Sequence, residues 1–195
     1  MSPWGVAKLW QLHRLDPSLA FGTLFENVLV LLERGLVGRI GVSNYSAEQL
    51  RRAIQMGGTP AQGGLISIQN QFSPRYRRET EVFDLCQEHH IAFLPWSPLG
   101  GIGRAKGLDA GKFGAFGEVG AVKGISAYAT AIAWLLHRSL MMIPIPGTTR
   151  IQSLQDNLTG LSVSLTIAEM AKRNESLPED LPLDGELIDQ PPFRD

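Results

Sequence analysis

Five short apolar runs in this chain each end in residues able to bind or polarise a ligand. Leu9 to Leu15 carries His13, and Val37 to Asn44 ends on Ser43 and Asn44. Leu65 to Ser73 carries Gln69, Ile91 to Leu99 carries Trp96 and Ser97, and Met141 to Thr149 ends on Gly147, Thr148 and Thr149. Ser43, Asn44 and Gln69 combine a hydroxyl with two carboxamides, a donor and acceptor set suited to an amide-bearing aromatic ligand. Trp96 offers a broad face on which a flat ring can stack. The segment Pro144 to Leu158 leads from a glycine turn and hydroxyl residues into a helix start, where unpaired N–H groups and the helix dipole favour an anion such as phosphate.

Plain readings stand beside each of these. A Ser-Asn pair also caps the helix that follows it, a strand aromatic is more often core, a lone strand histidine is usually packed, and an arginine at a helix start is usually a surface residue. His89 and His90 near one helix end, and His137 near another, fit the favourable dipole at a helix C-terminus, and are assigned to neither chemistry nor metal. Cys86 lies on an apolar helical stripe and is expected to be inert.

The elements that must position these residues alternate along the chain. Strand-like runs are followed by helical patterns at Phe21 to Arg34, Ser46 to Met56 and Arg78 to His90, and later by Ser126 to Ser139, Ile151 to Leu158 and Ile167 to Asn174. Alternation of this kind predicts parallel strands joined by covering helices. Ser46 with Gln49 three residues on reads as a capping box, closed by Gly57 and Gly58. The glycine-rich stretch Gly100 to Gly124 reads as a flap without a regular element. The residues from Glu175 to Asp195 are rich in proline and acids and lack apolar periodicity, so they are expected on the surface or disordered.

Composition bounds the possibilities. The chain has 195 residues, 44% hydrophobic and 19% charged, with a net charge of -1. These values describe an ordinary soluble globular protein, with one domain as the default and no field to attract nucleic acid. One cysteine cannot form an intramolecular disulfide or a metal cluster, which fits a reducing, cytoplasmic setting. The N-terminal residues do not read as a signal peptide, and no apolar run approaches the ~20 residues needed to span a bilayer.

GRIGVSNYS (Gly38 to Ser46), FLPWSPLGG (Phe93 to Gly101), QLHRLDP around His13 and PIPGTTRIQSLQDNL together resemble the aldo-keto reductase family, over about Leu9 to Leu158. The resemblance implies an α/β fold of the (β/α)8 TIM-barrel type. It starts at Leu9 to Pro17, which is similar to the family's fourth strand, so it implies an incomplete barrel of about five parallel strands over residues 1–174, with a tail over 175–195. It also implies a nicotinamide dinucleotide, NADP(H) with NAD(H) as the alternative. Ser43, Asn44 and Gln69 would hold the nicotinamide amide, Trp96 would stack on its ring, and Ser97, Pro98, Leu99 and Gly100 would form the loop under the pyrophosphate. Gly147, Thr149, Arg150, Ser153, Asp156 and Asn157 match the region for the adenosine 2′-phosphate, and Arg150 would favour NADP. Many members place a lysine where Gly147 stands. His13 would help polarise a substrate carbonyl beside the proton donor.

The family's proton-donating tyrosine, its lysine and its aspartate belong to the first three βα units, and the resemblance finds none of them here. Tyr45, Tyr76 and Tyr128 lie elsewhere. Three readings follow: an N-terminally truncated NADP(H)-dependent oxidoreductase acting on carbonyl or alcohol substrates, a non-catalytic nucleotide-binding or subunit protein that uses the half-barrel as an interaction surface, or a remnant. Open sheet edges would invite a second copy or another chain.

Overall fold

The computed structural model describes residues 5–78, 80–101, 108 and 114–176. The tail expected after residue 174 lies largely outside them, as does most of the stretch 102–113. Two compact units divide the chain, one comprising residues 5–70 and 80–94, the other 71–78 and 95–176 as far as they are described.

The first unit alternates strands and helices: β1 (Trp10–Leu12), α1 (Phe21–Glu33), β2 (Ile40–Ser43), α2 (Ala47–Gly57), β3 (Leu65–Gln69), α3 (Thr80–His89) and β4 (Ala92–Phe93). The four strands form one parallel sheet in the order β1-β2-β3-β4. Registered rows cross it, and successive residues of a strand point to opposite faces. Leu12, Val42, Ile68 and Phe93 form one such row, and Phe93 meets Phe83 of α3 edge-on at 5.6 Å between ring centroids. The row beside it is Gln11, Gly41, Ser67 and Ala92. There the Gln11 carboxamide donates to Ser67 Oγ at 3.0 Å, and a Cβ added at Gly41 would overlap that hydroxyl.

Local signals set the helices. Ser46 Oγ accepts from the Gln49 N–H at 3.2 Å and Gln49 Oε1 from the Ser46 N–H at 2.8 Å, so the expected capping box forms, and Gly58 follows α2 at φ 79°. On α1, Phe21, Leu24, Phe25 and Val28 are buried, and Gly35 at φ 64° permits the left-handed turn that stops it. Cys86 of α3 is fully buried, which pushes its thiol up to about 12, so it stays protonated at neutral pH.

The second unit contains α4 (Gly114–Lys123), α5 (Ala127–Leu136), α6 (Ile151–Thr159) and α7 (Ile167–Ser176). Its centre is Trp134 on α5, stacked on Phe72 at 6.4 Å and edge-on to Phe116 at 5.9 Å, with the Arg138 guanidinium 5.0 Å from its ring. Trp134 Nε1 donates to Asn174 Oδ1 of α7 at 3.0 Å, which meets the one polar need of a buried indole.

Two expectations are corrected here. The stretch Gly100 to Gly124 does contain a regular element, α4, whose Ala115, Phe116, Val119 and Gly120 are buried. Gly120 is required by close approach rather than flexibility, since a Cβ there would lie 2.7 Å from the Ile125 carbonyl oxygen. The fifth expected strand, Met141 to Thr149, joins no ladder with the other four. Its Ile145 N–H donates to the Pro95 carbonyl at 3.3 Å, but Pro144 and Pro146, two residues apart, leave one edge of the segment without donors.

Gly160, just past α6, sits so tightly against α5 that a Cβ would lie 2.6 Å from the Ala129 carbonyl. Gly160→Ala is expected to lose about 1–3 kcal/mol by overpacking, whereas Gly114→Ala, with open space around its Cβ, should stay within about 0.5 kcal/mol of wild type. Urea midpoints measure both, and equal midpoints for the two variants would refute the tight contact.

Candidate functional site

The candidate residues fall into two groups, one in each unit. In the first unit they sit at the carboxyl ends of the strands. Ser43 pairs with Gln69 across β2 and β3, two residues on from Gly41 and Ser67, and therefore on the same face of the sheet. Ser43 Oγ donates to the Gln69 carbonyl at 2.6 Å, and the Asn44 N–H donates to the same oxygen at 3.1 Å. Asn44 lies at φ 61°, a conformation asparagine tolerates better than most residues. Its Nδ2 donates to the His13 carbonyl and to Ser43 Oγ, each at 3.1 Å. His13 directly follows β1, with its side chain exposed.

This arrangement removes one plain alternative, because Ser46, not Ser43 or Asn44, caps α2. It also adds a residue that the pattern of the chain does not flag. Asn70 is buried, donates Nδ2 to the Tyr45 carbonyl at 2.8 Å and accepts the Tyr45 N–H at 3.3 Å, which pins the chain directly after Asn44. Its partner lies 25 residues away, so no local spacing announces it. Tyr45 is fully buried, and burial raises its phenol well above its ordinary range, so it is unsuited to proton exchange with a substrate.

In the second unit Trp96 bridges to Gln71, and its carbonyl accepts the Phe72 N–H at 3.4 Å. Ser97 at φ 50° opens a turn closed by the Gly100 N–H to the Ser97 carbonyl at 2.8 Å, with Pro98 and Leu99 between them. Gly100 and Gly101 follow at φ 101° and 97°, so three of the five residues from Ser97 to Gly101 have positive φ. Backbone held in such sparsely populated regions costs of order 1–3 kcal/mol per non-glycine residue and clusters at functional sites.

Leu99 lines a cavity of about 610 Å³, together with Gly147, Thr148 and Arg150 from the turn before α6, Gln152, Ser153, Asp156 and Asn157 from α6, and Ser126 and Tyr128 from the start of α5. No side chain caps α6, and its first internal bond runs from Leu154 N–H to the Arg150 carbonyl at 3.1 Å. The N–H groups before Leu154 are thus the orphan donors of a helix start. Thr148 Oγ1 accepts the Arg150 N–H at 3.2 Å and shapes the turn. Asn157 is buried, while Asp156 Oδ2 accepts from Ser126 Oγ at 2.6 Å. Ser126 also caps α5 by accepting the Ala129 N–H at 3.0 Å, so one hydroxyl joins the start of α5 to the middle of α6.

Five of the predicted second-group residues, Gly147, Arg150, Ser153, Asp156 and Asn157, meet at this cavity, and Leu99 joins them. Thr149 lies beside it without forming its wall, and Ser97, Pro98 and Gly100 belong to the adjoining turn. A Cβ at Gly147 would meet nothing within 4 Å, so sterics do not demand glycine there. Ser126, Tyr128 and Gln152 are wall residues that the sequence reading did not single out. His137 has both ring nitrogens in backbone hydrogen bonds, to the Ala133 carbonyl at 2.8 Å and from the Leu165 N–H at 3.1 Å, as befits a structural residue. Among the described residues no cluster of three His, Cys, Asp or Glu side chains could hold a metal.

The chain matches the Aldo/keto reductase family over residues 6–177. An uncharacterized oxidoreductase of Schizosaccharomyces pombe is 31% identical over 170 residues, which are 86% of this chain and 51% of that protein. The thermostable aldo-keto reductase Tm1743 superposes with a TM-score of 0.75 at 23% identity, over 88% of this chain and 60% of that one. A Gox0644 mutant crystallised with NADPH gives 0.73 at 22%, over 91% and 61%. Both structures share the fold. The chain spans about half the length of the curated relatives it matches.

Ser126→Ala removes the α5 cap and the Asp156 contact together, and should lower stability by about 1 kcal/mol, whereas Ser126→Thr should restore most of the loss. Chemical denaturation of the three proteins tests this, and an alanine variant as stable as wild type would show that the hydroxyl links nothing of consequence.

Proposed function

The chain belongs to the aldo/keto reductase family, and from that premise we propose that it binds NADP(H), with NAD(H) as the weaker alternative, and serves an oxidoreductase acting on carbonyl or alcohol substrates. The observation that carries this reading is the cavity at the start of α6, where Arg150, Ser153, Asp156 and Asn157 of the family motif meet around an uncapped helix N-terminus. Arg150 and the orphan N–H groups would hold a ribose phosphate, and charge-assisted bonds of this kind are the strong ones. The Gly100 turn offers backbone N–H groups to a diphosphate, and Trp96 a face to the nicotinamide.

Ser43, Asn44 and Gln69 would take the nicotinamide carboxamide. Ser43 Oγ and Asn44 Nδ2 are already oriented by the Gln69 and His13 carbonyls, so little side-chain entropy is left to lose on binding. A bound nicotinamide supplies or accepts a hydride. His13, exposed at the end of β1, would hydrogen-bond the substrate oxygen and orient it. Hydride transfer would then need a supplied proton donor, since the resemblance places that tyrosine and its lysine in the first three βα units of the family.

A second reading, a nucleotide-binding subunit, is favoured by the outer face of α6. Ile151, Leu154 and Leu158, with Leu161 one turn on, form an apolar stripe exposed by 70%, 48%, 52% and 61%. A second copy of this chain is the occupant proposed for it, because the stripe carries no charge and a two-fold pair would set the same apolar patch of each copy against the other.

NADPH titration followed by tryptophan fluorescence tests the first reading. Saturable quenching is expected, lost in Trp96→Ala, and Arg150→Ala should weaken NADPH about tenfold while changing NADH much less. Absence of binding at millimolar NADPH would sink it. For the second reading, light scattering after gel filtration should show a dimer that Leu154→Glu converts to monomer, and a monomeric wild type would end that proposal.

A further inference from the structure

The ladder between β2 and β3 ends where Ser43 stands opposite Gln69, and Asn44 at φ 61° then turns the chain out of strand geometry. Tyr45 comes next and is fully buried, so water cannot serve its peptide groups. A buried backbone N–H or C=O needs a partner, and past the end of a ladder the main chain of the neighbouring strand no longer supplies one. Asn70, directly after β3, supplies both from a single carboxamide: Oδ1 accepts the Tyr45 N–H at 3.3 Å and Nδ2 donates to the Tyr45 carbonyl at 2.8 Å. The side chain stands in for a peptide group and carries the pairing past the end of the strands.

This task dictates the residue type. Two bonds of opposite sense to one residue need a donor and an acceptor side by side, which a carboxamide has. Aspartate would set an oxygen against the Tyr45 carbonyl, leucine would leave both groups unpaired, and glutamine is one methylene too long for a site where Asn70 is 1% exposed. The clamp acts on the residue before it. Asn44 has its backbone N–H on the Gln69 carbonyl and its Nδ2 on the His13 carbonyl and Ser43 Oγ, while beyond Tyr45 the chain is fixed by the Ser46 and Gln49 capping box. Between these anchors the left-handed turn is held at Tyr45 by Asn70. We infer that Asn70 is a positioning residue for nicotinamide binding: without touching the cofactor, it keeps Asn44 in the orientation that the nicotinamide carboxamide requires. The inference rests on the nucleotide-binding reading above and adds to it a residue outside the set proposed to meet the ligand.

Calorimetric titration of the full chain with NADPH, and with adenosine 2′,5′-bisphosphate as a probe without the nicotinamide, separates positioning from general support of the fold. Asn70→Asp and Asn70→Leu should each weaken NADPH about tenfold and leave the bisphosphate within about twofold of wild type. Equal losses for the two ligands would show a merely structural role, and an NADPH affinity unchanged in both variants would show no role; either overturns the inference. Hydrogen exchange on the wild-type chain keeps the test intact if the variants fail to fold. Because coupling between sites is reciprocal, NADPH should slow exchange of the Tyr45 amide about tenfold and the bisphosphate should not. An amide that NADPH leaves unchanged would likewise overturn the positioning role while leaving the nucleotide site standing. Wild-type protein that binds neither NADPH nor the bisphosphate would overturn the nucleotide-binding reading itself.

Discussion

The crowding of Gln11, Gly41 and Ser67 across three neighbouring strands is the constraint on which the first unit depends. A parallel ladder is regular enough to slip, and a slip of one residue would turn every side chain to the opposite face. Here the slip is blocked sterically and chemically. Only glycine at position 41 leaves room for the Gln11 to Ser67 hydrogen bond, and that bond spans from β1 to β3 over β2. With this row in place the next row must be Leu12, Val42, Ile68 and Phe93, and the one after it must bring Ser43 opposite Gln69. Two carbonyls at that end, those of His13 and Gln69, then hold Ser43 and Asn44 in fixed orientations. The polar rim is thus a consequence of packing lower in the sheet.

The second unit shows the reverse economy, in which one helix works on two sides. The residues of α6 that line the cavity are polar, and those on its outer side are apolar and exposed. An amphipathic helix normally buries its apolar stripe and shows the polar one to water. In α6 the buried side chain is Asn157, and the leucines face outward. Such an inverted helix is held by its ends and its cavity face: the Ser126 to Asp156 bond, the close approach of Gly160 to α5, and the turn shaped by Thr148.

Asn44, directly after β2, and Ser97, in the turn closed by Gly100, adopt left-handed backbone, as does His90 directly after α3. Conformations of this cost persist only where neighbours over-determine them, as Asn70 does for the residue after Asn44 and the Gly100 N–H does for Ser97. Preorganisation of this kind spares a ligand the entropy of ordering its own site.

Much of this was present in the residues themselves. The alternation of strand and helix, the Ser46 and Gln49 capping box, the glycine stops and the phosphate-type entry into α6 are local, set by neighbours within a few positions, and local chemistry can be read from order alone. Several features could not be read that way. The helix α4 forms in a glycine-rich stretch because Phe116 finds Trp134 and Gly120 finds the backbone before α5. The segment around Pro144 and Pro146 has strand-like composition but gains one ladder-type hydrogen bond, since prolines remove its donors on one side. Asn70, Ser126 and Tyr128 acquire their places from partners or walls supplied by distant parts of the chain. The sequence by itself determined which residues would end each strand and begin each helix, because those choices depend on dihedral preference and capping. Tertiary structure alone decided which of them face one cavity, which face of α6 is left to solvent and which tyrosine is sealed away, because each depends on contacts between residues far apart in the chain.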